Sequence, residues 1–301
     1  MSHCLEMKAC RYDGQVIRDS IIQSLLPHVT VIPVCPEEAM GLGTPRDPLG
    51  LIQTSDGDQM IQFSTGHNVT PLMDGFIPSF LAEVTDVDGI VLKSRSPSCG
   101  LRDTIIYSQE ETLATVGHGS GLFARALQDA FPNIPIRDEK QLAVTESQEH
   151  FFTAIFTLAR FRAVKSHPER LRFFHTRHAL LLQSLHPDIY VEMVELLETT
   201  GDNNADEIYP RYKILLQECM RSIPRHSNHV KIIRQTLERL SPALGPSDQK
   251  QSQDLLEKLA TKRISLQSLR SKIWAWIKEW DDPYLKQQYY FVPYPESLFH
   301  K

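Results

Sequence analysis

The spacing of hydrophobic positions changes about halfway along the chain. In the first half, short apolar runs alternate with segments of helical spacing, and Gly and Pro are frequent between them. The runs at residues 29–34 and 89–93 predict strands, whereas residues 70–85 and 120–131 predict helices. Such alternation indicates an α/β domain with a mostly parallel, Rossmann-like sheet, whose ligands bind beyond the carboxyl ends of the strands.

The second half keeps helical spacing throughout. Apolar residues recur at steps close to multiples of 3.6 in two stripes, residues 151–159 and 255–280. Strand-like alternation is scarce, so we expect an all-α domain. Two loops are predicted from clusters of turn-forming residues, at residues 199–204 and 241–253. The predicted domains are an α/β domain at residues 1–142 and an all-helical domain at residues 143–301.

Composition and charge favour an intracellular protein that meets a polyanion. No apolar run of the 301 residues approaches the roughly 20 that a membrane helix needs, and the N-terminus lacks a secretory signal. We therefore expect a cytoplasmic protein with no membrane partner. Residues 1–142 carry 18 acidic and 10 basic side chains, whereas residues 143–301 carry 19 and 22. The basic balance of the second half suits contact with nucleic acid.

The cysteines indicate metal or redox chemistry. There are 5, an odd number, spread over a long chain, which argues against a disulfide framework. Cys4, Cys35 and Cys99 each lie in a loop context with Gly or Pro nearby, where thiolates can converge on one centre. Their spacing matches neither a zinc ribbon nor a ferredoxin, so a metal site and scattered buried thiols both remain open. Cys219 lies alone in a helical stretch and is expected to be a buried structural thiol.

Three sequence motifs, one around each of these cysteines, resemble those of a known family. They are Cys4 with Arg-Tyr-Asp-Gly at 11–14, Cys-Pro-Glu at 35–37 followed by Gly-Leu-Gly-Thr-Pro-Arg at 41–46, and Ser-Arg-Ser-Pro-Ser-Cys-Gly at 94–100. In this order they resemble the thiouracil desulfidase family. Residues 145–301 resemble the helical domain that is fused to one branch of that family. Members with this fusion are implied to be tRNA 4-thiouridine desulfidases.

The resemblance implies a 4Fe-4S cluster held by only three cysteines, which map onto Cys4, Cys35 and Cys99. One iron then has no protein thiolate and is open to a ligand. Soft iron prefers sulfur, so the thiocarbonyl of a thiouracil is expected to bind there, followed by hydrolysis of the C–S bond without net electron transfer. Cys10 is a departure, because as a fourth ligand it would close the open iron and leave a non-catalytic iron–sulfur sensor that binds nucleic acid.

Three polar residues near the cysteines are the expected catalytic groups. Glu37 is the candidate for activating water or moving protons, and Ser96 and Ser98 are candidates for binding the base or stabilising the tetrahedral intermediate. The alternative for Glu37 is that it only caps the helix that follows Pro36.

Basic residues are the expected substrate contacts. In the first domain these are Arg11, Arg46 and Arg95, which alternatively neutralise the cluster or pair with Asp13 and Asp47. In the second domain, the phosphates of tRNA are expected to contact a basic stretch: Arg160, Arg162, Lys165, Arg170, Arg172 and Arg177. A solvated helix face is the competing interpretation of this stretch.

The substrate and the metal each have a second interpretation. A free thiouracil or thionucleoside could replace tRNA as the substrate, and a structural zinc module could replace the cluster. DNA is not an expected partner, and the sequence does not indicate an oligomeric state. His175 and His178 have a spacing compatible with a metal, but buried or capping histidines are more frequent.

Overall fold

The computed structural model describes residues 1–84, 86–109, 114–164, 167–199 and 205–299. These residues form two compact units, Met1–Phe151 and Phe152–Phe299. The first contains the strands together with short helices, and the second is helical. This confirms the predicted fold class, an α/β domain followed by an all-α domain.

The α/β unit alternates short strands and helices. Its strands are β1 (Leu49–Thr54), β2 (Gly57–Gln62), β3 (His67–Asn68), β4 (Ile90–Leu92), β5 (Thr104–Ser108), β6 (Thr115–Gly119) and β7 (Ile136–Asp138). Its helices are α1 (Ser20–Leu25), α2 (Pro36–Ala39), α3 (Thr70–Glu83), α4 (Leu122–Ala130) and α5 (Glu139–Leu142). A five-stranded mixed sheet has the order β3-β2-β1-β5-β6, in which β1 and β5 are parallel.

A second, fully parallel set of segments positions the cysteines. β4 pairs with β7 in parallel. Beside β4, the N–H of Ser2 donates to the carbonyl of Val91 at 2.9 Å, and Ser2 forms a parallel bridge with Val34 on its other side. The carboxyl ends of three neighbouring segments therefore lead into the residues that follow Ser2, Val34 and β4.

The core of this unit lies between the sheet and helices α3 and α4. Leu51 and Met60 from the sheet, Met73 from α3 and Phe123 from α4 are fully buried and belong to one hydrophobic cluster. Cys99 belongs to the same cluster. The loop that carries Cys99 is therefore packed against the hydrophobic core.

The helical unit is built from amphipathic helices. They are α6 (Thr145–Arg162), within which the boundary between the units falls, α7 (Pro168–Leu185), α8 (Pro187–Thr199), α9 (Ala205–Arg221), α10 (His226–Leu240), α11 (Pro246–Ala260) and α12 (Leu266–Trp280). A C-terminal segment follows that buries Tyr290 and Phe291. None of the helices in the described part of the chain is long and apolar enough to cross a membrane.

Three predictions of local structure were wrong. Residues 29–34 form no regular strand, because only Val34 makes a bridge. The loop predicted at residues 241–253 is observed only up to Gly245, which is the N-cap of α11, and residues 246–253 are helical. The stripe at residues 255–280 is divided between α11 and α12 by a turn. The loop predicted at residues 199–204 lies almost wholly outside the described residues.

Candidate metal centre and catalytic site

Cys4 and Cys35 follow adjacent parallel segments. The N–H of His3 donates to the carbonyl of Val34 at 2.8 Å, so the two chains run side by side up to the two cysteines. Cys35 is the N-cap of α2, in which Pro36 occupies the first turn, where its missing N–H costs no helical hydrogen bond. This local structure turns the chain immediately after Cys35 and brings Glu37 back toward the thiol.

Cys99 lies in residues 93–100, named here the cysteine loop. The loop is closed by a hydrogen bond from the N–H of Gly100 to the carbonyl of Ser96 at 2.8 Å. α4 holds it from outside, because the N–H groups of Leu122 and Ala124 donate to the carbonyls of Pro97 and Ser98 at 3.1 and 2.9 Å. These bonds use only backbone groups and leave the loop's side chains available for the site.

The carboxylate of Glu37 lies between Cys35 and Cys99. The Cys35 thiol donates to Oε2 of Glu37 at 3.4 Å, and the hydroxyl of Ser98 donates to Oε1 at 2.6 Å. Ser98 Oγ is also 3.6 Å from Sγ of Cys99. The buried carboxylate of Glu37 thus connects two predicted ligands: it contacts Cys35 directly and Cys99 through Ser98.

Ser96 extends this hydrogen-bond chain. Ser98 has one hydroxyl proton, and the short bond to Glu37 uses it. The Ser96 hydroxyl, 2.9 Å from Ser98 Oγ, is then the donor of that pair, and the N–H of Cys99 donates to Ser96 Oγ at 3.1 Å. The hydroxyl donors in the chain therefore all point toward Glu37, whose carboxylate accepts from Ser98.

Cys4 is electrostatically coupled to the same centre. Burial, followed by repulsion from Cys99, Cys10 and Glu37, raises the pKa of Cys4 well above its ordinary range. Burial, followed by repulsion from Glu37, also raises the pKa of Cys35 well above its ordinary range. The same two causes raise the pKa of Cys99 to about 11. Hydrogen bonds therefore link Cys35 through Glu37 and Ser98 to the neighbourhood of Cys99, and electrostatic repulsion links Cys99 to Cys4.

This donor set suits a soft metal centre. Thiols bind such metals as thiolates, and here burial and the nearby carboxylate of Glu37 oppose ionisation of all three. The positive charge of a metal would oppose both effects, because it attracts the thiolates directly. The residues present therefore fit a thiolate-bound cluster at this position.

Cys10 lies next to Cys35. It is fully buried, and its backbone carbonyl is 3.7 Å from Sγ of Cys35, whose thiol proton is directed at Glu37. Its Sγ, a ring nitrogen of His3 and a carboxylate oxygen of Glu38 all lie within 4.8 Å of one another. Glu38 is also paired with Lys8 at 3.0 Å. Cys10 thus has its own polar neighbours on the side of His3 and Glu38.

The arginines of the α/β unit differ in their positions. Arg46 is at the centre: it lies 3.7 Å from Oε2 of Glu37 and donates to the carbonyl of Cys10 at 3.0 Å. Arg11 forms an ion pair with Asp13 at 3.2 Å, which agrees with a structural role for this side chain. The side chain of Arg95 is exposed, and its backbone has a left-handed φ of 58°. Asp47 accepts from Ser64.

The predicted contacts of the helical unit form two groups. Arg162, Arg170 and Arg172 are exposed. Arg160 and Arg177 are instead half-buried, and both guanidinium groups lie over the ring of Tyr289. Lys165 lies outside the described residues.

Cys219 and the histidine pair of α7 are all buried in the helical unit. Cys219 is fully buried, as predicted. His175 and His178 are buried on α7; His175 contacts the hydroxyl of Tyr212 at 3.0 Å, and His178 contacts the carbonyl of Phe174 at 2.7 Å.

Sequence reasoning missed two contributors. Ser2 is buried, accepts from the N–H of Lys93 at 2.9 Å and hydrogen-bonds the Cys99 thiol. Lys93 forms an ion pair with Glu139 at 2.5 Å and favours the ionised form of Cys4. Lys93 could have been recognised from the sequence, because it is a charged residue directly after the apolar run of β4. Nothing in the sequence singles out Ser2.

Fold and site together define an α/β protein that gathers buried thiols and a carboxylate at the ends of parallel segments. The model of the family described as 2-thiouracil desulfurase matches residues 1–139, and that described as Protein of unknown function (DUF1722) matches residues 180–295. The chain is 31% identical over 137 residues to the Uncharacterized protein YbbK of Bacillus subtilis (strain 168), which covers 43% of this chain and 89% of YbbK. No solved structure matches the chain.

The chain therefore belongs to the 2-thiouracil desulfurase family, with a DUF1722 region after the desulfurase domain. Its function is of the desulfidase type.

Proposed function

We propose that the protein is a tRNA 4-thiouridine desulfidase, which replaces the sulfur at C4 of the base by oxygen from water and gives uridine and sulfide. The observation that carries the proposal is the carboxylate of Glu37, hydrogen-bonded between Cys35 and Ser98 with Cys99 beside it. This carboxylate supports the proposal, because it could act as a general base beside the thiols that would hold the metal.

In this proposal Cys4, Cys35 and Cys99 hold a 4Fe-4S cluster. A cluster held there would supply a soft Lewis acid for the sulfur of a thiocarbonyl. Lys93 and Arg46 are the cationic side chains beside the thiols and the carboxylate, and they offset part of the negative charge of this site.

Glu37 is the proposed general base. Its buried carboxylate takes a proton from the water that adds to C4, and later returns a proton to the base or to the leaving sulfur. Arg46 and Ser98 contact different oxygens of this carboxylate, at 3.7 and 2.6 Å, so they fix its orientation. Ser96 and Ser98 lie beside Cys99. A hydroxyl that turns from its present partner toward the substrate can donate to the base or to the tetrahedral intermediate at C4.

The helical unit is the proposed tRNA-binding part. Support comes from the exposure of Arg162, Arg170 and Arg172, which lie on α6 and α7. Contacts between arginines and phosphates are largely independent of base sequence, so they suit an enzyme that recognises a tRNA by its shape.

A free thiouracil or thionucleoside is the second candidate substrate. The observation in its favour is that the matching family is described as 2-thiouracil desulfurase and that its model ends at residue 139, before the helical unit. In that case the helical unit would have another role.

Anaerobic reconstitution of the full chain tests both candidates. Iron and labile sulfide are first measured, and the protein is then incubated with tRNA that contains 4-thiouridine, with free 4-thiouridine and with 4-thiouracil while thiocarbonyl absorbance is followed. We expect bound iron and sulfide, and the fastest loss of absorbance with tRNA. Faster turnover of the free compounds would favour the second candidate, and zinc without labile sulfide would contradict both.

A further inference from the structure

The helical unit contains a cluster of basic side chains around one aromatic ring. The guanidinium carbons of Arg160 and Arg177 lie 3.8 and 4.6 Å from the ring centroid of Tyr289, and the ring of His178 stacks on it at 4.5 Å. The N–H of Tyr289 donates to the carbonyl of Arg177 at 2.9 Å. We call these four residues the tyrosine cluster.

Two polar atoms of the tyrosine cluster are buried without a partner. Within the described part of the chain, neither Nη1 of Arg160 nor Nε2 of His178 has a hydrogen bond. His178 itself is only 1% exposed. Buried polar atoms almost always have partners, because an unmade hydrogen bond leaves their desolvation uncompensated. Two such atoms in one cluster indicate a group that the protein alone does not supply.

The other contacts of these side chains define the chemistry of the unpaired atoms. Nη2 of Arg160 donates to the carbonyl of Pro293 at 2.6 Å, so Nη1 is a cationic donor that remains unused. Nδ1 of His178 lies 2.7 Å from the carbonyl of Phe174, which can only accept. The proton is therefore on Nδ1, and Nε2 of the neutral ring is an unused acceptor. A matching ligand offers an acceptor and a donor.

The charge of the tyrosine cluster is also uncompensated. Among the described residues, no carboxylate forms an ion pair with Arg160 or Arg177. Burial, and after it repulsion from Arg177, lowers the pKa of Arg160 to about 10. The face of Tyr289 offsets part of this cost, but a ring carries no net charge. The missing group is therefore an anion.

We infer that Arg160, Arg177 and His178 form a binding site for a phosphate group that carries a proton, such as hydrogen phosphate or a phosphate monoester. The phosphate oxygens accept from both guanidinium groups, and the phosphate hydroxyl donates to Nε2 of His178. Unlike a carboxylate, such a group offers anionic acceptors and a donor at the same time. Two sources share this chemistry: a small phosphate compound and the terminal phosphate of a nucleic acid.

The tyrosine cluster lies at the edge of the helical unit's interior. Arg160, Arg177 and Tyr289 are half-buried, so the tyrosine cluster reaches the surface, whereas its two unpaired atoms are buried. The hydrogen bond described for Tyr289 holds its backbone, and its ring is held by stacking.

Calorimetric titration of the full chain with inorganic phosphate tests the inference, with acetate and chloride at equal ionic strength as other anions. We expect one phosphate per chain, no comparable uptake of acetate or chloride, and affinity about tenfold or more lower in Arg160→Gln and in Arg177→Gln. Arg263→Gln is the matched control, because Arg263 is exposed in the same unit, and it should bind like the wild type.

Two results would overturn the site: no phosphate uptake by the wild type, or wild-type affinity in a folded Arg177→Gln variant. Arg177, unlike Arg160, has no buried unpaired atom. The Arg177→Gln variant therefore decides whether the site exists if Arg160→Gln does not fold, as judged by circular dichroism. None of these titrations needs iron or desulfidase activity. Their failure is therefore distinct from failure of the proposed function.

The same variants distinguish the two sources. An RNA with a 5′-phosphate is compared with the same RNA after dephosphorylation. Tighter binding of the phosphorylated form, lost in Arg177→Gln, assigns the site to a nucleic-acid terminus. Equal binding of both forms, together with uptake of inorganic phosphate, assigns it to a small phosphate compound.

Discussion

At the scale of single residues, Glu37 and Glu38 are adjacent in sequence but have different surroundings. Glu37 is buried and accepts from Ser98 at 2.6 Å, whereas Glu38 is more exposed and pairs with Lys8. The sequence could not separate helix capping from catalysis for Glu37. Its contacts with Ser98, 61 residues further along the chain, and with Arg46 support the catalytic interpretation.

Replacement of Glu37 tests its role as a base. We expect Glu37→Gln to lower turnover about 100-fold or more while iron content is unchanged, because the amide keeps the shape but cannot take a proton. Glu38→Gln is the matched control and should retain turnover. Iron analysis and single-turnover kinetics on both variants provide the measurement. Turnover in Glu37→Gln equal to that of the wild type would show that another group moves the proton.

Replacement of single cysteines tests which of them bind the proposed cluster. Alanine at Cys4, Cys35 or Cys99 should abolish both iron binding and activity, since each removes one of three thiolates. Alanine at Cys10 should spare both, and Cys219→Ala is a control for the loss of a buried thiol elsewhere. Iron and labile sulfide per chain are the readout. If Cys10→Ala loses its iron, Cys10 is a ligand and the non-catalytic sensor becomes the better interpretation.

At the scale of elements, the contact between α4 and the cysteine loop depends on Gly121. A Cβ added at Gly121 would lie 2.4 Å from the carbonyl carbon and oxygen of Ser98 and 2.8 Å from the nitrogen of Cys99. These are backbone atoms, so the loop itself would have to move. The small residue before α4 therefore sets how closely the helix approaches the predicted ligand.

Gly121→Ala is expected to destabilise the fold by about 1–3 kcal/mol through overpacking, and to lower the retention of iron. Gly117→Ala is the matched control, because a Cβ there meets nothing within 4 Å. Thermal unfolding and iron content are measured on both. Normal iron retention in a destabilised Gly121→Ala variant would show that the loop tolerates the shift.

Elements were predictable where local signals agreed. The helix predicted at residues 70–85 is observed at Thr70–Glu83, and the strand predicted at residues 89–93 is observed at Ile90–Leu92. The prediction at residues 241–253 failed because Gly245 and Pro246 were interpreted as loop residues, although they start a helix as N-cap and first residue. The mixed five-stranded sheet was beyond prediction, since strand pairing depends on contacts distant in sequence.

At the scale of the whole molecule, the acidic first half and the basic second half predict a salt dependence that differs between substrates. Raising potassium chloride from about 50 to about 200 mM should raise KM for thiolated tRNA at least about tenfold, because bound phosphates release counterions. KM for free 4-thiouridine should change little. Steady-state kinetics with both substrates provides the test, and parallel salt dependences would contradict a phosphate-binding role for the helical unit.

The backbone bonds between α4 and the cysteine loop have a consequence for handling the protein. Leu122, Ala124 and Gly121 hold the loop through carbonyl groups at Pro97, Ser98 and Gly100, and no thiol takes part. The loop should therefore keep its shape when air destroys the proposed iron–sulfur cluster. A preparation emptied in this way is expected to be refilled with iron and sulfide under reducing conditions, without unfolding.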